Sequence, residues 1–202
     1  MARLNIKNWL MEQTIVYQLW QAPFVRQKLR PFYKHNALSS IHSVLDVGCG
    51  PGTNTSLFLD KTYIGVDLNP AYIRSARKRY QKSFIVADVT QSSILKEHRF
   101  DCILLNSLMH HLDPEGCRHL LSHLQTLLTP DGNIHILDLV LSEKAGMTRF
   151  LARCDRGNYP RTLEAWEKLF ATYYETIVFE PYFLTGLGLK LWEMVYFKGR
   201  FK

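Results

Sequence analysis

Five short apolar runs alternate with helix-patterned segments between residues 43 and 141, and no other property of the chain restricts its fold as much. The runs are SVLDVGC (43–49), TYIGVDL (62–68), SFIVADV (83–89), FDCILLNSL (100–108) and NIHILDLVL (133–141). They are rich in Val, Ile and Leu, are bounded by Gly, Asp or Asn, and several are apolar at consecutive positions. Strands buried on both faces of a parallel sheet carry that pattern. Between them, 53–60, 70–81 and 114–128 are compatible with helices. In the last, Leu120, Leu121, Leu124, Leu127 and Leu128 share one face, and Pro114 follows Asp113 as a first-turn residue follows its cap. The alternation predicts an α/β fold, a doubly wound and mostly parallel sheet with right-handed crossovers.

The flanks differ in character. Residues 4–37 read as a helical pair around Pro23, with Trp9, Leu10, Ile15, Val16, Leu19 and Trp20 as its apolar surface. A helix over 163–174 precedes two strand-like runs, 176–184 and 189–197, joined through Gly186 and Gly188. These complete a seven-stranded sheet whose last pair is antiparallel. No linker-like composition interrupts the 202 residues, so one domain is expected. It divides into a helical lid (1–40), a core (41–141), a substrate-covering insert (142–172) and the C-terminal strand pair (173–202).

Composition narrows the class of protein. Hydrophobic residues at 47% and charged residues at 21% fit a globular chain and exclude a disordered one. No run approaches the roughly 18–20 apolar residues of a membrane span. The stretch MARLNIKNWLMEQT is too often broken by polar residues for a secretory signal, so a cytoplasmic location is expected. Cys49, Cys102, Cys117 and Cys154 form no C-x-x-C pair, so neither a metal site nor a disulfide framework is expected. The net charge of +7 is concentrated at the ends. Residues 1–40 hold six Lys/Arg against one acid, and residues 186–202 hold four against one. Basic ends serve solubility, or contact with nucleic acid, an anionic membrane surface or an acidic substrate.

The first strand runs into VLDVGCGPG, where Gly48, Gly50 and Gly52 allow a tight turn and close backbone approach to a ligand. The spacing is G-x-G-x-G, unlike the G-x-G-x-x-G of dinucleotide binders. Asp46 precedes the turn, where a carboxylate repels a pyrophosphate and suits an ammonium group. Asp67 closes the second strand, about twenty residues on, where an acid accepts both hydroxyls of a ribose. Asp88 closes the third, where a carboxylate can accept from an exocyclic amine. Three acids and a glycine turn thus fall along one crevice at the carboxyl edge of the sheet.

Over about 41–141 this arrangement resembles the core of the class I S-adenosylmethionine-dependent methyltransferases. Four motifs recur in order: Asp46 with Gly48, Gly50 and Gly52; Asp67; Asp88 with Val89; and the turn Leu128-Thr129-Pro130-Asp131-Gly132, with Asp for one Gly. The resemblance implies S-adenosylmethionine as cofactor and S-adenosylhomocysteine as product. Asp46, Gly48 and Gly50 would hold the methionine part, Asp67 the ribose, and Asp88 and Val89 the adenine, with Cys49 and Leu68 also in the cofactor site. Asn106 and Leu108 would line the cofactor's inner side.

The acceptor is read from residues beyond the fourth strand. NSLMHHL (106–112) lacks the N-P-P-Y-type run of enzymes that methylate planar amino groups, and resembles the branch acting on small molecules and lipid-like metabolites. O-methylation of a small-molecule acceptor, anionic or apolar, is the expectation. His110 or His111 is the candidate general base, against packing beside the cofactor or capping the next helix. In the insert, Arg153, Arg156 and Tyr159 are the candidate acceptor-binding residues, beside Arg149, Arg161 and Trp166; ion pairing with Asp155 or Glu164 is the alternative role for these arginines. The aromatic residues Trp9, Tyr17, Trp20, Phe24, Phe32 and Tyr33 either cover an apolar acceptor or pack on the sheet. With the basic ends they also allow peripheral membrane contact. Two rival functions are an RNA methyltransferase using the basic termini, although no RNA-binding motif is visible, and a cofactor-binding partner protein without methyl transfer. The sequence leaves oligomeric state open.

Overall fold

The computed structural model describes residues 24–90, 95–155 and 157–202. Expectations for residues 4–23, including Trp9, Tyr17 and Trp20, and for Arg156 fall outside these. Seven strands form one sheet in the order β3-β2-β1-β4-β5-β7-β6. They are β1 (Ser43–Val47), β2 (Thr62–Asp67), β3 (Ser83–Val86), β4 (Phe100–Asn106), β5 (Leu128–Leu139), β6 (Tyr174–Gly186) and β7 (Leu189–Phe201). The first five pair in parallel, and β7 runs antiparallel to both β5 and β6. The order reverses between β1 and β4, and that switch point opens a crevice at the carboxyl ends of the strands.

Helices cover both faces of the sheet. Alternate residues of β1, β2, β4 and β5 (Leu45, Val47, Ile64, Ile103, Ile134) point to one face, where α4 (Pro114–Gln125) contributes Leu120, Leu121 and Leu124. On the same face α6 (Leu163–Tyr173) contributes Trp166 and Phe170. Val44, Tyr63, Cys102 and Leu104 point the other way. They meet Phe32 of α2 (Arg30–His35), Phe58, and Ile73 and Ala76 of α3 (Pro70–Arg79). Short polar side chains start these helices: Asn69 Oδ1 accepts from Ala71 N, and Asp113 Oδ1 from Gly116 N. Two further helices are α1 (Val25–Lys28) and α5 (Met147–Cys154).

Several expectations need adjusting. Residues 53–60 hold only a 3-10 turn, Thr55–Phe58, because the chain must curl back under the glycine turn. β5 begins at Leu128, five residues early, with a register shift opposite Phe100 and Cys102. Phe32 is fully buried against Phe58 and His135, so this part of the N-terminal segment completes the core of the sheet. Trp166 is likewise buried and donates Nε1–H to the carbonyl of Leu139 at 2.9 Å. The second half of the insert is therefore core, while α5 packs on β7, with Ala152 buried beside Leu184, Trp192 and Met194.

Candidate active site

The glycine turn is built by strain that only glycine tolerates. Gly48, Gly50 and Gly52 have φ of 71°, 55° and 85°. The N–H groups of Gly48 and Cys49 donate to the Val66 carbonyl at 2.8 and 3.1 Å, and Gly50 N–H donates to Asp67 Oδ2 at 2.9 Å. Asp67 Oδ1 accepts from Asn69 N–H at 2.8 Å. Two backbone donors thus fix this half-buried carboxylate at the end of β2, and burial raises its pKa. A carboxylate has about four acceptor positions, so two remain for a pair of hydroxyls. Next to it Leu68 is 69% exposed, an uncovered apolar surface beside the acid. Leu108 reaches the turn from beyond β4: a Cβ on Gly48 would stand 3.0 Å from Leu108 Cδ1. Asp88 Oδ1 accepts from Thr90 N–H and Oγ1–H at 3.0 and 2.7 Å, and Val89 packs on the core edge nearby. Cys49 is buried, and burial pushes its thiol pKa up, so it is inert packing.

Asp46 departs from expectation. It is fully buried beneath the turn, so it does not present a carboxylate to an ammonium group. Tyr63 Oη donates to its Oδ2 at 2.8 Å, and Asn54 Nδ2 donates to Oδ1 at 3.3 Å. Burial lifts its pKa to about 6 despite both donors. From Asp46 a buried polar chain runs to the crevice. Asn106 Nδ2 donates to Asn54 Oδ1 at 3.1 Å, Ser107 Oγ to Asn106 Oδ1 at 3.3 Å, and Lys28 Nζ to Ser107 Oγ at 2.9 Å. Ser107 has φ of 57°, a rare conformation for a residue with a side chain. Lys28 is 8% exposed, and burial lowers its pKa to about 8 against the pull of Asp155 and Asp138. Tyr63, Asn54, Ser107 and Lys28 were not singled out from the sequence. Nothing local marks Lys28, which arrives from 79 residues away.

His110 and His111 lie on a 3-10 turn, Met109–His111, directly after β4. His110 is 2% exposed. Its Nδ1 is 2.6 Å from Asp138 Oδ1, and its Nε2 is 3.1 Å from Asp155 Oδ1. Burial alone would lower the imidazole pKa; the two carboxylates, Asp138 foremost, outweigh it and raise the pKa to about 9. Burial acts against ionisation of both carboxylates, yet the histidine holds each below its ordinary value. The ring is thus held between two carboxylates, so service as the expected general base would require Nε2 to turn from Asp155 to a substrate. His111 is exposed, its ring centroid 4.2 Å from that of His110. Asp138 did leave a signal, an acid inside the apolar run HILDLVL.

The arginines divide by role. Arg161 donates from Nη1 to the carbonyls of Met109 and Tyr159 and from Nη2 to that of Leu112, and lies 4.9 Å over the Trp166 ring. Arg149 donates to the Ser142 carbonyl at 2.6 Å. Both tie down backbone, and Asp155 faces a histidine where an arginine partner was the alternative. Arg153 is exposed at the end of α5, and Tyr159 is 41% exposed, its N–H donating to the His110 carbonyl. The structure therefore gathers Tyr159, Asp155 and the histidines at one corner, beside Lys28 and the end of β4.

Residues 44–132 match the model of a family described as Methyltransferase domain. Trans-aconitate 2-methyltransferase from Enterobacter sp. (strain 638) is 30% identical over 168 residues, 80% of this chain and 62% of that protein. The chain thus spans less than two thirds of that curated relative's length. Among solved structures, the PH0226 protein of Pyrococcus horikoshii OT3 superposes with a TM-score of 0.70 at 20% identity, covering 92% of each chain. The N-methyltransferase NodS from Bradyrhizobium japonicum WM9, solved with S-adenosyl-l-homocysteine, gives 0.67 at 17% identity over 90% of this chain and 87% of its own. The two superpositions speak to the fold, and the family match spans the segment that holds the glycine turn and the strand-end acids. Residues 44–132 therefore carry a methyltransferase domain, and the chain as a whole is similar in sequence and fold to S-adenosylmethionine-dependent methyltransferases.

Proposed function

We propose that the protein transfers the methyl group of S-adenosylmethionine to a small-molecule acceptor, and that the receiving atom is a carboxylate oxygen. The observation that carries the donor half is the glycine turn bonded to Asp67, with Asp88 one strand further along the same edge. These residues fit the donor. The positive-φ glycines let backbone approach it, Asp67 keeps two acceptor positions for ribose hydroxyls, and Leu68 offers an apolar face for adenine. When bound, the donor supplies the electrophile, a methyl on a positively charged sulfur.

The protein must then hold the acceptor in line, exclude water and, for a protonated nucleophile, remove a proton. His110, with both nitrogens turned to carboxylates, is poorly placed to take a proton from a substrate. A carboxylate acceptor requires no such step, because it is already an anion at neutral pH. Lys28 supplies positive charge at the end of β4, and Arg153 and Tyr159 flank Asp155 in the sequence. His111 is the remaining candidate base for an acceptor that must lose a proton. The named relative points to trans-aconitate as the first acid to try.

The test is transfer of radiolabelled methyl from the donor to trans-aconitate and a panel of di- and tricarboxylic acids, beside matched alcohols and amines. Label in a base-labile ester is the expected result. Turnover of alcohols or amines with every acid inert would overturn the carboxylate reading.

A further inference from the structure

Three side chains of metal-binding type converge where the 3-10 turn after β4 meets the end of α5. His110, His111 and Asp155 each offer one donor atom, and all three atoms lie within 4.8 Å of one another. His110 Nε2 is sealed from solvent and makes no hydrogen bond of good geometry among the described residues; Asp155 Oδ1 stands 3.1 Å away. Metal–ligand bonds of about 2.0–2.2 Å place two ligands of one tetrahedral ion ~3.3 Å apart. The 3.1 Å between His110 Nε2 and Asp155 Oδ1 is close to that, and His111 lies within reach of both.

The far side of His110 is built as a ligand histidine requires. Its Nδ1 faces Asp138 Oδ1 at 2.6 Å, and Asp138 is fully buried and fixed by the N–H groups of Met109 and Leu139. A carboxylate behind the distal nitrogen sets the tautomer and ring orientation of metal-binding histidines. Asp155 is brought in by a loop that only glycine permits. A Cβ on Gly157 would stand 2.1 Å from His110 Cδ2, while Gly157 N–H steadies Asp155 Oδ1 at 3.1 Å. His111 is exposed, so the site would be reached from solvent on that side.

We infer that His110, His111 and Asp155 form a site for a divalent transition-metal ion of the zinc type, with Asp138 orienting His110 from behind. Two imidazoles and one carboxylate select borderline ions such as Zn²⁺ and Co²⁺ over Mg²⁺ or Ca²⁺, which require mostly oxygen ligands. The ion takes the place of the Nε2 proton, which is released to solvent. It competes for this nitrogen where a substrate proton does not, because it brings two positive charges to Asp155 in place of one. The cysteines take no part in the site.

The full chain, stripped of metal with a chelator, is titrated calorimetrically with zinc chloride. His111→Ala and Cys154→Ser are run in parallel, with circular dichroism as the check on folding. One saturable site is expected, unchanged in Cys154→Ser and weakened tenfold or more in His111→Ala. The Co²⁺-loaded wild type should show intense visible d–d absorption that His111→Ala loses. No saturable binding, equal affinity in wild type and His111→Ala, or loss in Cys154→Ser would each overturn the assignment. None of these results depends on methyl transfer.

Discussion

Asp46 illustrates what a buried carboxylate does to a small domain. It lies beneath the glycine turn with Tyr63 and Asn54 as donors, and its pKa is lifted from the ordinary 3.8 to about 6. A raised carboxylate pKa means that the folded state binds the proton more tightly than the unfolded chain. Its stabilising contribution is complete below about pH 4 and is lost as pH rises through about 6. At about 1.4 kcal/mol per unit, wild type should lose roughly 2–3 kcal/mol relative to Asp46→Asn between pH 4 and pH 7. Urea unfolding of both proteins across that range measures the difference; a gap independent of pH would contradict the account. At this scale the sequence was partly legible. Asp67 stands where the spacing from the turn put it. The inward aim of Asp46 could not be read, because strands buried on both faces do not announce which face a residue takes. The acid in HILDLVL was legible as an anomaly, and its partner His110 only through the fold.

Between elements, Arg161 is the clamp that holds the segment after α5 to the turn after β4. It satisfies the carbonyls of Met109, Leu112 and Tyr159 and stacks over Trp166, itself fully buried in α6. Lysine cannot reproduce the planar fork. Arg161→Lys should therefore destabilise the protein by about 1–3 kcal/mol, the range for hydrogen bonds to a charged group. The effect should extend to His110, whose carbonyl is bonded to Tyr159. Thermal unfolding, with the shift of the His110 ring resonances as a local reporter, checks this. An unchanged melting temperature would contradict the role. The strands were legible because runs such as DCILLN can only be buried on both sides. The 53–60 helix was not realised, since the Asp46–Asn54 and Thr55–Tyr63 contacts hold this segment in a tighter 3-10 turn. Lys28 was illegible because its partner, Ser107, lies 79 residues away in the sequence and meets it only through the fold.

The molecule as a whole places two unlike regions on the same edge of one sheet. On the β1–β3 side, backbone N–H groups and the carboxylates of Asp67 and Asp88 form a cradle suited to a ribose and an adenine. On the β4–β5 side, Lys28 and the His110–Asp138–Asp155 group form a charged corner where the acceptor would meet the donor. The polar chain from Tyr63 through Asp46, Asn54, Asn106 and Ser107 joins them beneath the glycine turn. Ligand binding on one side should therefore be felt on the other, since Asn106 and Ser107 belong to both. No helix among the described residues is long and apolar enough to cross a membrane. The central claim is that Asp67 and the glycine turn bind the nucleoside of the methyl donor. It is tested most directly by calorimetric titration of wild type and Asp67→Ala with S-adenosylhomocysteine, after both proteins are shown to unfold cooperatively. The account predicts saturable binding to wild type, weakened by about 10- to 100-fold in the variant, as loss of hydrogen bonds to a charged group requires. Absence of binding to wild type, or equal affinity in the two, would contradict it.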